Sequence, residues 1–161
     1  ISDEAYRSVR NLMAWLRPAI LDELGLNLAL QQMVDDWNVH HDASFCALRL
    51  DTDLSDLSAH RQIQVYRIVQ EALTNVVKHA QAERVSVTIL GDDQLELVIT
   101  DDGRGFDRDT ARTGIGLANI RDRANLLQGQ AHVRSASGEG TILQITFPRE
   151  ENPEQELDDG E

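Results

Sequence analysis

Two stretches of the chain carry side chains whose types and spacing can do chemistry. In the first, an alternating run from Leu95 to Ile99 ends on Asp101 and continues as Asp101-x-Gly103-x-Gly105. A short polar loop follows, and then Gly114-x-Gly116-Leu117 opens an amphipathic segment. Glycine tolerates positive φ and lets a ligand approach the backbone closely. A helix starting near Gly116 would turn its unpaired N–H groups and positive dipole end towards that loop. An anionic ligand suits such a place, and Asp101 at a strand end can accept a hydrogen bond from an amine such as the exocyclic amine of adenine. A plain glycine-rich turn gives the same short pattern, so this stretch alone leaves both readings open.

The second stretch is Glu71-x-x-x-Asn75-x-x-Lys78-His79. At helical spacing these four residues share one stripe. The amide oxygen of Asn75 suits a hard cation such as Mg2+, which prefers oxygen and keeps much of its water when it bridges phosphates. Glu71, a turn earlier, can orient a nucleophile or a metal-bound water. Lys78 and His79, a turn later, can meet phosphate charge. The wet face of an ordinary amphipathic helix looks the same, and the stripe by itself does not separate the two.

These residues need elements to position them. A helix is expected over 59–80, capped by Ser58, with Val65, Val69, Ala72, Leu73, Val76 and Ala80 as its apolar stripe. Strands are expected at 45–50, 84–90, 95–100, 131–135 and 141–147, with turns at 91–93 and 137–140. Leu117, Ile120, Ala124 and Leu127 predict a helix over 116–128, with Gly129 suited to its C-terminal end. Another is expected over 27–38, with Asn27 as cap and Leu28, Leu30, Met33, Val34 and Trp37 for packing. Residues 18–25 read as a connector and 54–58 as a polar one. A first helix over 1–17, with Val9, Leu12, Met13 and Leu16 at helical spacing, should stop before Pro18. Pro148 is expected to close the domain.

Composition narrows the classes. At 161 residues, 41% hydrophobic and 27% charged, the chain reads as one soluble globular domain with an appendage. No window approaches a membrane span, and no signal peptide is evident. The net charge is −13, and seven of the acids fall in residues 150–161, which carry no Lys or Arg and are expected to be a disordered acidic tail. An acidic body without a basic aromatic patch argues against nucleic acid as a partner. Cys46, the single cysteine, sits in a strand-like run and reads as a buried reduced thiol. His40-His41-Asp42 reads as a solvated turn, because neighbouring histidines do not share a helix face.

Taken together and in order, the Glu71–His79 stripe, Asp101-x-Gly103-x-Gly105, Gly114-x-Gly116-Leu117 and Gly140-Thr141 resemble the boxes of the ATP-binding fold shared by histidine kinases, gyrase, heat-shock chaperones and mismatch-repair ATPases. The run Leu16-Arg17-Pro18 to Leu26, with the short lid after Gly105, is similar to sensor kinases of the nitrate-responsive and degradative-enzyme type. The resemblance implies an α/β two-layer sandwich: a mixed, mainly antiparallel sheet of about five strands, three helices on one face, and before them a leftover helix of the dimerisation hairpin. It implies domains at 1–25 (end of the dimerisation helix and connector), 26–149 (ATP-binding domain) and 150–161 (tail). ATP and Mg2+ are the implied ligands. Asn75 is then the metal ligand, Asp101 the adenine-binding carboxylate and Glu71 the catalytic acid that acts on the attacking group. Lys78, His79, Gly103, Gly105, Gly114, Gly116, Leu117 and Thr141 complete the nucleotide site. The implied reaction moves the γ-phosphate to a histidine on a dimerisation domain, for relay to a response regulator, in the cytoplasm and without membrane contact by this piece. None of His40, His41, His60, His79 and His132 lies in an acceptor motif, so the acceptor is expected upstream of Ile1. An anti-sigma-type serine kinase and a non-catalytic nucleotide-dependent module are the alternatives; the Leu16–Leu26 segment speaks against the first and the presence of Glu71 against the second.

Overall fold

The computed structural model describes residues 18–105 and 115–153. The expected 1–17 helix, the lid at 106–113, Gly114 and the tail from 154 lie outside the described residues. Five strands form one mixed sheet in the order β1-β2-β3-β5-β4. They are β1 (Phe45–Leu50), β2 (Arg84–Gly91), β3 (Gln94–Asp101), β4 (Gln130–Ser135) and β5 (Thr141–Pro148). Only β1 and β2 run parallel, because a helical crossover joins them; the other pairs are antiparallel. Helices α1 (Ala19–His40), α2 (Ala59–Asn75) and α3 (Ile115–Leu126) cover one face.

Alternation decides which side of each strand is buried. Val85, Val87 and Ile89 of β2, Leu95, Leu97 and Ile99 of β3, and Leu143, Ile145 and Phe147 of β5 all point under the helices. Each such side chain contributes about 1.5–3 kcal/mol when fully buried. The alternate residues face out, where the Ser86 and Thr100 hydroxyls pair and Gln144 Nε2 donates to Glu96 Oε1 at 2.9 Å. Val65, Val69, Ala72, Leu73 and Val76 seat the helical region that follows Ser58 on this core. Ser58 caps α2 as expected, its hydroxyl accepting the Arg61 N–H.

Several local expectations change. The 18–25 connector is helical from Ala19, and the break comes at Gly25 (φ 75°), a conformation that favours glycine. Asn27 does not cap: it sits past that break and its Oδ1 accepts the Leu54 N–H at 3.1 Å. Leu28 is exposed, and Leu26 and Ala29 are buried on that helix. The 54–58 connector is not merely polar, since Leu54 and Leu57 plug the core. Gly129 is needed for a different reason from the one expected. The left-handed residue ending α3 is Gln128 (φ 58°), with Gln128 N bonding Asn125 O and Gly129 N bonding Ala124 O, both at 2.9 Å. A Cβ on Gly129 would stand 2.2 Å from Thr146 O, so it is the approach of β5 that excludes a side chain.

Pro148 is not the last packed residue. Arg149 donates to Asp92 O, Asp53 O, the Asp56 carboxylate and Thr52 Oγ1, tying the β2–β3 turn to the segment after β1. Glu150 O accepts from Arg61 at 3.2 Å, and Asn152 exchanges two hydrogen bonds with the Gln128 side chain. Arg61 is 1% exposed; it also donates to Leu127 O at 2.8 Å, so a buried cation binds the C-terminal end of α3 to the start of α2. Cys46 is buried, which pushes its thiol up to about 11.

Candidate functional site

Asn75 is the last residue of α2, and the chain then widens into a π turn over Val76–Ala80 rather than continuing the expected α-helix to 80. Its i→i+5 bonding puts more residues in each turn than an α-helix has, so the spacing of Lys78 and His79 along the stripe is no longer α-helical. Glu71 and Asn75 are half-buried, whereas Lys78 and His79 are exposed. The turn ends at Gln81, held left-handed at φ 49°. The Asn75 side chain makes no capping bond to this turn.

The loop after β3 is clasped against that turn. Arg104 N donates to Ala80 O at 2.7 Å, and a Cβ on Gly103 would lie 2.2 Å from the same carbonyl. On the other side, a Cβ on Gly105 would meet Ala136 O at 2.1 Å and one on Gly140 would meet Asp101 O at 2.1 Å. The glycines at 103, 105 and 140 thus serve close backbone packing between the π turn, the loop and the β4–β5 turn. The Gly138 N–H to Arg104 O bond closes the stack. The fold therefore brings Ala80, the residue after the Glu71–His79 stretch, against the Asp101–Gly105 loop.

Asp101 and Thr141 are partners across β3 and β5. The Asp101 carboxylate accepts the Gly103 N–H at 2.9 Å. Burial raises its pKa above the usual carboxylate value; the Gly103 N–H counteracts this, the neighbouring Asp102 charge adds to it, and the Thr141 N–H works against it. A half-buried carboxylate with little solvent around it gains most from an incoming donor such as an exocyclic amine. Thr141 Oγ1 pairs with Ser135 Oγ at 2.9 Å, which fixes the hydroxyl beside Asp101. Asp102, its neighbour, behaves oppositely. It accepts the Arg84 and Glu83 N–H groups, each at 2.9 Å, and these bonds hold its pKa low.

On α3, Gly116 lies in the first turn and Leu117 is half-buried against the core. Arg123 of the same helix donates to Gln64 Oε1 of α2 at 2.9 Å, and its burial lowers its pKa. Sequence reasoning missed Asp102, Ala80 and the Arg123–Gln64 pair. Only Asp102 left a signal, a second carboxylate at the end of a strand. The His40 and His41 rings bond the Asp36 and Trp37 carbonyls of their own helix, at 2.7 Å each. No group of three His, Cys, Asp or Glu fit for a metal occurs among the described residues. Asn75, half-buried and making no capping bond, presents one amide oxygen, a kind of donor compatible with Mg2+, which takes few protein ligands and retains water. A cleft of about 280 Å3 lies between α1 and α2, walled by Met33, Trp37, Leu73 and Val77. It reaches Lys78 but neither Asn75 nor Asp101.

A family model described as histidine kinase-, DNA gyrase B-, and HSP90-like ATPase matches residues 60–151. The chain is 36% identical over 149 residues to the oxygen sensor histidine kinase NreB of Staphylococcus carnosus, covering 87% of this chain and 41% of that protein. It is 33% identical over 165 residues to the sensor histidine kinase LiaS of Bacillus subtilis, covering 98% and 44%. The chain thus spans less than half the length of these relatives. Among solved structures, the histidine kinase domain of a blue-light-activated kinase from Erythrobacter litoralis superposes with a TM-score of 0.65 at 23% identity, covering 77% of this chain and 61% of that one. With the family match running over more than half of the residues, and with the five-stranded sheet and the clasped Asp101 loop in place, this chain belongs to the histidine kinase-, DNA gyrase B- and HSP90-like ATPase family.

Proposed function

We propose that the chain is the ATP-binding catalytic part of a two-component sensor histidine kinase, moving the γ-phosphate of ATP to a histidine on a dimerisation domain for relay to a response regulator. The observation that supports this reading is the clasp itself, in which the loop that starts at Asp101, a half-buried carboxylate of raised pKa, packs on the turn that follows Asn75. The sensor-kinase relatives, matched over most of this chain, choose the branch. In this reading 26–149 is the ATP-binding domain and 1–25 the exit from the dimerisation hairpin, while Glu150 and Asn152, at the start of the expected 150–161 tail, still pack on the domain. The protein works in the cytoplasm, where ATP is. Among the described residues no helix is long and apolar enough to cross a membrane.

Phosphoryl transfer is chiefly positioning and electrostatic stabilisation. Asp101 accepts the adenine amine, with the Thr141 hydroxyl in support. Lys78 and His79 meet phosphate charge from the π turn, and the backbone at Gly114, Gly116 and Leu117 does so from the lid side. Asn75 would hold Mg2+, which offsets charge on the phosphates. Glu71 orients the incoming imidazole and takes its N–H proton as the N–P bond forms and the P–O bond to ADP breaks.

The test supplies a separate dimerisation domain from the same parent, with its upstream histidine intact, and γ-labelled ATP. Acid-labile, base-stable label should appear on that domain at a low rate, since no covalent linker raises its effective concentration. Glu71→Gln should cut transfer while leaving ATP binding nearly normal. Acid-stable label on serine or threonine would overturn the reading in favour of an anti-sigma-type kinase. Tight ATP binding with no transfer would favour a non-catalytic module.

A further inference from the structure

The clasp contains a residue that none of the nucleotide roles above uses. Asp102 sits where β3 leaves the sheet, and one oxygen of its carboxylate takes two consecutive N–H groups, Glu83 and Arg84. Its own N–H returns to Arg84 O at 3.2 Å. Two residues on, Arg104 N holds Ala80 O. Between these ties lie Gln81 in its left-handed conformation and the buried Ala82, whose carbonyl accepts from Ser44 Oγ. Gly103 stands against Ala80 with no room for a Cβ. The short exit from the π turn is therefore gripped at both ends by the loop that carries Asp101.

We propose that Asp102 is a positioning residue: by gripping the 83–84 backbone it fixes the Asn75–His79 turn relative to Asp101, so that one nucleotide engages both ends at once. This rests on the nucleotide reading above and adds to it the part that sets the spacing. The physical reason is that of any bivalent ligand. If the two ends move independently, only a ligand that spans them must restrain that motion, and its affinity falls with the lost effective concentration. A ligand that touches the Asp101 end alone loses little. The close packing of Gly103 on Ala80 and the Arg104 N–H bond hold one end of the grip, and the other end depends on acceptor geometry at Asp102.

The experiment measures Mg2+–ATP and adenosine binding to the full 161-residue chain by calorimetry. Asp102→Ala should weaken ATP roughly tenfold and adenosine less than about twofold, shifting the ratio of the two affinities. Asp102→Asn keeps an oxygen acceptor for both N–H groups and should restore the ratio. A second route avoids any folding defect of Asp102→Ala. Arg104→Pro removes the N–H that binds Ala80 O, along with the side chain and the freedom of φ, and should shift the ratio in the same direction, whereas Arg104→Ala, which loses the side chain alone, should not. A merely structural role would lower both affinities in step with the melting temperature. An unchanged ratio in Asp102→Ala and in Arg104→Pro, with wild type binding ATP, overturns this inference alone. Wild type that binds neither ligand overturns the nucleotide reading and this inference with it.

Discussion

Asp101→Asn separates the cost of the candidate site from its use. The wild-type carboxyl titrates above its ordinary value, mainly because it is buried, with the Gly103 and Thr141 N–H groups opposing that rise and the Asp102 charge adding to it. A folded-state pKa above the unfolded value of about 3.9 means that the folded chain binds this proton more tightly. Its stabilising contribution is full below the unfolded pKa and is lost as pH rises through the folded one. At neutral pH the ionised group is thus a net cost to the ligand-free fold. Asparagine keeps an oxygen for the Gly103 N–H and removes the charge. The ligand-free variant should melt at or above wild type at neutral pH, with a flatter pH dependence across the weakly acidic window. Nucleotide binding should move the other way. A hydrogen bond to a charged acceptor contributes about 1.5–3 kcal/mol, so ATP affinity should fall roughly 10- to 100-fold. Wild-type affinity should also fall as pH drops through the raised pKa, while that of the variant stays level. Scanning calorimetry and titration calorimetry read the two halves. A variant that melts lower at neutral pH yet binds ATP as wild type does would refute the reasoning on both counts.

Other substitutions probe neighbouring parts. Asn75→Ala should abolish the Mg2+ dependence of ATP binding; calorimetry with and without Mg2+ checks it, and a retained dependence would remove Asn75 as the metal ligand. Arg61→Met keeps an apolar stem but leaves Leu127 O and Glu150 O without their donor, which should cost about 2–4 kcal/mol in urea unfolding. Protease cleavage near residue 150 should increase in the same variant. Gly129→Ala drives a Cβ to 2.2 Å from Thr146 O and should destabilise by about 1–3 kcal/mol, measured by thermal melting. Gln81→Val, a branched side chain at φ 49°, should cost about 1–2 kcal/mol, whereas Gln81→Gly should be neutral or slightly stabilising.

Local patterning carries the five strands, most of the helices and the order of the site's parts. Leu95, Leu97 and Ile99 alternate because one side of β3 meets helices and the other does not, and burial of that kind is written locally. Ser58 capping α2 and Asp101 ending a strand are local as well, since each needs only its near neighbours along the chain. The tertiary structure decided the features whose partners come from elsewhere. Asn27 has the composition of a cap, yet Leu54 N claims its oxygen. Arg61 has no local reason to be buried; its acceptors, Leu127 O, Gln128 Oε1 and Glu150 O, meet only in the folded chain. The residues at 76–80 continue a good helical stripe, and the π turn they adopt ends on a carbonyl that Arg104 N takes from the far side of β2 and β3. Gly103 and Gly129 look like residues chosen for backbone freedom, but a neighbouring carbonyl occupies the space of a side chain at each. Periodicity records which side of an element is covered, and it carries no record of which distant backbone group will arrive to cover it.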